Sequence, residues 1–345
     1  MSSPISDIPV GSWVLVTGAT GFLAGHVIRQ LLERGYKVRG TVRDQAKASW
    51  LIEDHFQSYT NSGHFELATV PDLAVSGAFD EAAKGVSAIA HIASVLDFDP
   101  NPHNVIPQTV AGAKSIMETA AKDPSIKKFV FTSSIVAAVF PAGDTKVSVD
   151  RSSWNEFAVE AAWSPPPYEP TRGMLVYMAS KVAAEKEVWK FVDERKPHFT
   201  TNSILPASIL GEPLNKRHAV GHGNWIYHLF KETRAILDPF PTMVVANVKD
   251  IALLHVAAIL DPEIKNARLQ TWGNYAHFNE FLAILRELRP DRQFMDDYPE
   301  TWHLTVSTDQ SESVEILKKW GDQDGWRSLK SVIDEAINSP YWQTK

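Results

Sequence analysis

Trp13-Val-Leu-Val-Thr17 runs directly into Gly18-Ala-Thr-Gly-Phe-Leu-Ala-Gly25, and the reading of this junction decides the fold. A short apolar run bounded by glycine predicts a buried strand, and Phe22 to Arg34 carries apolar residues at helical spacing. Glycine at 18 and 21 permits positive φ and close backbone approach. The helix that opens behind them offers free N–H groups to a pyrophosphate. The spacing is Gly-x-x-Gly-x-x-Ala, with Ala24 small enough to keep helix and strand close and Gly25 beside it. Glycine clusters also occur in turns that bind nothing. This one follows a first strand and opens a helix, which predicts dinucleotide binding by Gly18, Thr20, Gly21, Phe22 and Leu23.

Working outward, strands are expected at Lys37–Arg43, Phe65–Val70, Ala88–Ile92, Lys128–Thr132 and Thr200–Leu205. Helices are expected at about Gln108–Lys122 and Met174–Glu194. Short apolar strands alternating with helices predict an α/β fold: a Rossmann-type, doubly wound parallel sheet covered on both faces. After Pro206 the pattern loosens. Expected there are helices near Asp250–Leu260, Asn279–Leu288 and Leu329–Ile337, and a strand near Arg268–Trp272. The division is therefore 1–210, mainly a nucleotide-binding domain, and 211–345, mainly a smaller C-terminal substrate lobe. Elements near 242–275 partly return to the first domain.

Composition agrees with a folded enzyme-sized chain. The 345 residues are 44% apolar and 22% charged, which excludes disordered, collagen-like and coiled-coil chains. A net charge of −7 with no run of Lys or Arg argues against a nucleic-acid partner. With no cysteine there is no disulfide, thiolate nucleophile or cysteine-held metal, and the 12 histidines form no His-x-x-x-His pair, so no metal is expected. Met1–Val10 lacks the features of a signal peptide, and the apolar stretch 250–260 is about half a membrane span. A cytoplasmic chain without a membrane partner is expected, as a monomer or homodimer.

The second strand ends in Arg43, with Lys47 one helical turn on. Enzymes that use NAD usually carry an acidic residue here for the ribose 2′-hydroxyl, whereas a guanidinium can fork onto a 2′-phosphate. Asp44 has two readings, as a cap for the following helix or as the acidic partner of NAD. Both cations could instead be solvated surface. NADPH/NADP+ is the favoured cofactor.

Tyr177-Met-Ala-Ser-Lys181 sets a phenol and an ammonium one turn apart on one helix face. A cation nearby stabilises phenolate and would bring the tyrosine towards the working pH range. The spacing also occurs at Tyr227/Lys231 and Tyr341/Lys345, so spacing alone decides nothing. Only Tyr177 follows a strand ending in hydroxyls, Phe131-Thr-Ser-Ser134, and leads a long helix into another strand. Ser134, Tyr177 and Lys181 are the expected catalytic set, at the carboxyl ends of the strands. Ser133 or Ser134 could instead only satisfy backbone groups. His91, inside an apolar strand, reads as a hydrogen-bonded core histidine.

Together with Tyr36-Lys-Val-Arg-Gly-Thr-Val-Arg43, Val70-Pro-Asp-Leu73, His91-Ile-Ala-Ser94, Lys196-Pro-His-Phe199 and Asp250-Ile-Ala-Leu-Leu-His255, these motifs carry a resemblance over nearly the whole chain. It resembles the extended short-chain dehydrogenases/reductases, in the dihydroflavonol-reductase-like branch that contains fungal NADPH-dependent aldehyde and carbonyl reductases. The resemblance implies that Asp72 and Leu73 flank the adenine, Ala93 and Ser94 border the pyrophosphate and ribose, and Pro206 lies near the nicotinamide. One departure stands out: the active-site asparagine of many relatives has no counterpart in Val110–Ala120.

The expected reaction is hydride transfer from NADPH to a small-molecule carbonyl, with Tyr177 as proton donor and Ser134 on the carbonyl oxygen. Lys181 is expected to lower the phenol pKa and to hold the nicotinamide ribose, so Tyr177 and Lys181 count among the cofactor-binding residues too. Substrate choice is expected from Val95 and Phe98, from the proline-rich Trp163–Pro170 loop, and from Trp225, Tyr227, Phe240 and Met243. Their apolar character suggests aryl ketones, keto esters or aldehydes, although these aromatics could simply pack the lobe. Two other readings stay open: an NAD-dependent sugar-nucleotide epimerase or dehydratase, and a non-catalytic NADP(H)-sensing protein.

Overall fold

In the computed structural model, strand β1 (Trp13–Val16) lies inside a seven-stranded sheet, next to its central strand. The structure describes residues 6–140, 146–221, 223–239, 241–299 and 304–342. Helix α1 (Phe22–Glu33) follows the glycine turn and leads into β2 (Lys37–Val42), short α2 (Gln57–Asn61) and β3 (Phe65–Thr69). Then come β4 (Val86–His91), α3 (Pro102–Lys122), β5 (Lys128–Thr132), β6 (Val147–Val149), α4 (Glu156–Ala162), α5 (Gly173–Arg195), β7 (Thr200–Pro206) and β8 (Ser208–Leu210). The remainder holds α6 (Lys216–Val220), α7 (Trp225–Phe230), α8 (Arg234–Leu237), β9 (Thr242–Asn247), α9 (Val248–Leu260), β10 (Arg268–Thr271) and β11 (Asn274–His277). It closes with α10 (Phe278–Leu288), β12 (Val306–Thr308), α11 (Ser311–Gly321) and α12 (Leu329–Ile337).

The sheet order is β10-β7-β5-β4-β1-β2-β3. β1 pairs in parallel with both β2 and β4, so successive crossovers run in opposite directions from it. This reversal opens a crevice at the carboxyl ends of β1 and β4, where such sheets receive ligands. The expected doubly wound α/β fold is therefore present. Leu15, Ile89 and Phe129 on the strands pack with Ile116 and Met117 of α3 and Val188 of α5 in one apolar core.

Two compact units divide the chain. The first holds 1–140, 151–205 and 252–269, and the second holds 141–150, 206–251 and 270–345. In the second unit, β9 pairs antiparallel with β11 and parallel with β8, and β6 pairs with β12. Its core gathers Leu229, Met243, Phe278, Phe281, Val332 and Ile333. Asp250, at the start of α9, accepts from the Arg327 backbone N–H at 2.8 Å and from Gln323 at 3.0 Å, and pairs with the Arg327 guanidinium. That carboxylate fixes the turn leading towards α12. Short helices α6, α7 and α8 occupy 216–237, where the sequence shows no clean period.

Helix α3 begins six residues earlier than its periodicity predicts. The Asn101 side chain accepts from the His103 N–H, Pro102 takes the first turn, and Pro107 lies inside the helix. The first helical turn needs no donor from proline, so Pro102 starts the helix, while the interior Pro107 disguises the continuation. β5 and α12 keep the bounds read from sequence. Among the described residues no helix is long and apolar enough to cross a membrane.

His91 closes β4 inside this core. Its Nδ1 meets the Thr17 hydroxyl at 3.0 Å, and its ring packs edge-on to Phe79 and face to face with Phe131. Thr17 Oγ1 also accepts the N–H groups of Ile92 and Ala93, each at 3.0 Å, which leaves its proton for the His91 nitrogen. Burial first, then the Lys181 cation, lowers the ring from 6.5 to about 3. As pH falls below 6.5 the unfolded chain takes up a proton that the folded chain refuses until about pH 3, so stability declines through that window. For His91→Gln the acid-side loss between pH 7 and 5 is expected to shrink by about 1 kcal/mol per pH unit, read from urea midpoints.

Candidate active site

The glycine turn owes its shape to contacts as much as to glycine itself. Gly18 adopts φ +71°, and a Cβ there would lie 3.2 Å from the Cα and Cβ of Ala93. Its N–H donates to the Thr41 hydroxyl at 3.1 Å, and Ala19 N–H donates to the Thr41 carbonyl at 2.9 Å. Gly21 departs from the positive φ expected of it: it sits in the extended region at φ −76° and caps α1. Its N–H returns to the Gly18 carbonyl at 2.8 Å, and a Cβ would meet that same oxygen at 3.1 Å. Close approach, not a left-handed turn, is what requires glycine at 21. The start of α1 carries neither a side-chain cap nor an acidic residue, so its positive end faces the crevice unopposed.

Around that turn, Thr20 is exposed, Phe22 half-buried with its ring 5.7 Å from His26, and Leu23 buried. Arg43 and Lys47 are exposed beyond β2, and Arg43 makes no hydrogen bond or ion pair among the described residues. Asp44 Oδ1 accepts from the N–H groups of Ala46 and Lys47, at 2.9 and 3.4 Å, so of its two readings the structure has the cap. Asp72 folds back on Ala74 N–H at 2.9 Å, and Leu73 packs against α3 at Gly112. Ala93 and Ser94 follow β4, half-buried.

Helix α5 brings Tyr177, Lys181 and Glu185 onto one face, four residues apart. Lys181 is only 4% exposed, and its Nζ donates to the Thr132 carbonyl at 3.0 Å and lies 5.7 Å from the Phe131 ring centre. Burial lowers its pKa from 10.5 to about 8, partly offset by Glu185. Ser134, just past β5, reaches the Tyr177 phenol through a side-chain hydrogen bond. Burial pushes that phenol above 10, and the Ser134 bond opposes the rise. Sequence reasoning assigned the lowering to Lys181. Here the serine exerts it.

The ring of Phe98 lies 5.2 Å from that of Tyr177, tilted by 40°, while remaining 52% exposed. Val95, half-buried, precedes it on the same segment. A Cβ on Gly173, the first residue of α5, would lie 2.1 Å from the Phe98 carbonyl oxygen. Glycine at 173 thus lets the segment cross the helix start, a requirement invisible without the fold. In the Trp163–Pro170 loop, Arg172 donates to the carbonyls of Ser164 and Pro165 at 2.6 and 3.1 Å and stacks near Tyr168. The α3 stretch 110–120 carries no asparagine; its buried Ser115 and Thr119 hydroxyls turn to the Val75 carbonyl and Asp80.

The remaining expected residues lie in the second unit. Met243 is buried in that unit's core, Trp225 packs on the core with its ring 6.1 Å from Phe278, and Tyr227 contacts His228 and Trp342. These three side chains therefore pack the lobe. Pro206 is buried at the end of β7. Phe240 and Lys345 lie outside the described residues. Among the described residues no group of three or more His, Asp or Glu converges as a metal site would require.

The sequence profile of the NAD dependent epimerase/dehydratase family matches residues 14–222. Aldehyde reductase 2 of Sporidiobolus salmonicolor is 38% identical over 335 residues, covering 96% of this chain and 97% of the relative. The NAD-dependent epimerase/dehydratase terH of Aspergillus terreus is 36% identical over 342 residues, covering 99% and 100%. Among solved structures, yeast methylglyoxal/isovaleraldehyde reductase Gre2 complexed with NADPH superposes with a TM-score of 0.75 at 24% identity, covering 94% of this chain and 97% of that one.

For Gly173→Ala the clash with a backbone carbonyl is expected to cost about 1–3 kcal/mol in urea denaturation and to lift Phe98 from Tyr177. A variant as stable as the parent would mean that the segment gives way freely.

Proposed function

The chain belongs to the NAD dependent epimerase/dehydratase family, the extended short-chain dehydrogenases/reductases, and on that footing we propose that it reduces aldehydes and ketones to alcohols with NADPH. The observation that carries this reading is the convergence of Ser134, Tyr177 and Lys181 beside an apolar ring, Phe98. The name of the Sporidiobolus relative, an aldehyde reductase, supports it over nearly the full chain. Apolar Val95 and Phe98 next to the phenol favour aryl ketones, keto esters and aldehydes over highly polar substrates.

The residues fit a dinucleotide. The turn at Gly18 is a cradle that a Cβ would fill, and the uncapped start of α1 suits a pyrophosphate. Gly18, Thr20, Gly21, Phe22 and Leu23 would hold the diphosphate, Ala93 and Ser94 would border it, and Asp72 and Leu73 the adenine. Pro206 would adjoin the nicotinamide. Arg43, with Lys47, would take the 2′-phosphate, since Asp44 turns one carboxylate oxygen to backbone N–H groups and the other towards Lys47. When bound, the reduced nicotinamide supplies the hydride.

The chain's own groups supply the proton and the field. Burial holds Tyr177 as the neutral phenol, the form able to donate to a developing alkoxide. Ser134, already bonded to that phenol, would orient the carbonyl oxygen towards it. Lys181, with a pKa of about 8, is an ammonium at neutral pH and steadies the negative charge left on the tyrosine. Reduction is therefore expected to hold through neutral pH and to fall as pH rises through about 8, where the lysine loses its proton.

For Tyr177→Phe we expect kcat to fall about 100-fold or more, followed at 340 nm, with NADPH binding retained by fluorescence. Turnover near the parent rate would remove the phenol from the mechanism. Arg43→Ala should raise the KM for NADPH about tenfold and leave that for NADH nearly unchanged. A parent chain that prefers NADH, or one that interconverts a sugar nucleotide without net dinucleotide consumption, would replace the NADPH reductase by an NAD-dependent epimerase.

A further inference from the structure

One buried carboxylate lies on the same face of α5 as Tyr177 and Lys181 with no part in the mechanism above. Glu185 is fully buried, one helical turn beyond Lys181 and two beyond Tyr177. Its Oε1 accepts from Ser203 Oγ at 2.6 Å, Arg268 Nε at 2.9 Å and Trp189 Nε1 at 3.3 Å. Its Oε2 accepts from Ser133 Oγ at 2.7 Å and Arg268 Nη2 at 3.1 Å. Arg268, 5% exposed, is itself pinned by the carbonyls of Arg151 and Ser153, at 3.1 and 2.7 Å, and by the Trp154 ring 4.0 Å away. A buried bidentate pair this fully hydrogen-bonded is rigid, and breaking either partner leaves a charge without compensation.

Ser133 makes this cluster more than a structural clamp. It stands between Thr132, whose carbonyl holds Lys181, and Ser134, whose hydroxyl meets the Tyr177 phenol. Fixing the Ser133 side chain fixes both neighbours. We propose that Glu185 is a positioning residue of the reduction: clamped by Arg268, it holds the 132–134 segment against α5 and sets a buried negative charge one helical turn from Lys181. This inference rests on the reductase reading of Ser134, Tyr177 and Lys181.

The charged and titratable groups facing Lys181 bear this out. On its own helix they are Tyr177 and Glu185; from β4 comes His91, which stays neutral down to about pH 3; and from β5 come only the Thr132 carbonyl and the Phe131 ring. His255 of α9 reaches the same segment through the Thr132 hydroxyl at 2.9 Å, and Arg268 of β10 stands behind Glu185. On the helices packed against α5, Lys114 and Glu118 of α3 pair with each other in solvent, and Glu156 of α4 pairs with Lys186. Glu185 is a buried anion one helical turn from the lysine. It opposes the burial that lowers Lys181 to about 8.

The test uses two charge changes of opposite sign. Glu185→Gln keeps the shape and removes the anion; Arg268→Gln removes the cation that competes for it. The alkaline limb of kcat/KM for carbonyl reduction is expected to move to lower pH by about one unit in Glu185→Gln and to higher pH in Arg268→Gln. Glu185→Asp, which retains the charge, should keep the limb near its parent position while losing rate. The Lys181 13Cε resonance in the cofactor-free protein, assigned with Lys181→Arg, should titrate with the same two shifts. A residue that only holds the fold would lower the melting temperature in each variant and leave limb and resonance where they were, which overturns the inference. Should Glu185→Gln fail to fold, a Lys181 titration unmoved in Arg268→Gln overturns it equally. Absence of turnover by the parent chain with either dinucleotide sinks the reductase reading separately, because the resonance is read without turnover.

Discussion

Thr17 is the hinge on which the first unit is assembled. Strand β1 ends there, and its hydroxyl accepts two N–H groups from the residues after β4 while facing the His91 nitrogen. Parallel strands separate at this point because their connections leave in opposite directions, so both strand ends would otherwise expose backbone groups. One hydroxyl satisfies two of them and the His91 ring nitrogen besides. Gly18 can then approach Ala93 to within a distance that leaves no room for a side chain. The crevice opens beside that closure, and α1 starts there without a side-chain cap.

Polar groups are buried around the candidate active site in an order that keeps each one satisfied. His91 is kept neutral by its burial and by Lys181, Lys181 is held by a backbone carbonyl, and Glu185 is held by Arg268. Buried charges are costly when unpaired, so the cluster survives only as a set. Burial also works in the chemical direction, raising the tyrosine and lowering the lysine. The two shifts move proton donor and cation apart on the pH scale, so that the lysine titrates while the phenol stays neutral.

What could be read before the fold was known follows the range of the interactions. Tyr177 and Lys181 are neighbours by helix geometry alone, and the glycine turn declares itself by what precedes and follows it. β5 and α12 have unbroken apolar patterns and clean ends. The start of α3 was hidden by Pro107, and the short elements of 211–241 follow tertiary packing where the sequence has no period. Glu185 reads locally as one more charged residue on a helix; apart from Trp189, its partners lie 18, 52 and 83 residues away. The same holds for Gly173, whose necessity comes from a carbonyl at position 98.

That last contact separates two kinds of freedom on one segment. At Phe98 the backbone oxygen is fixed by the absence of a side chain on Gly173, while the aromatic ring projects half into solvent over the phenol. A change of side chain at 98 reshapes the approach to Tyr177 without disturbing the path of the chain, whereas any change at 173 disturbs the path itself. The molecule therefore offers an evolving lineage, or a designer, a position at which substrate range can drift while the helix that carries the chemistry stays where it is.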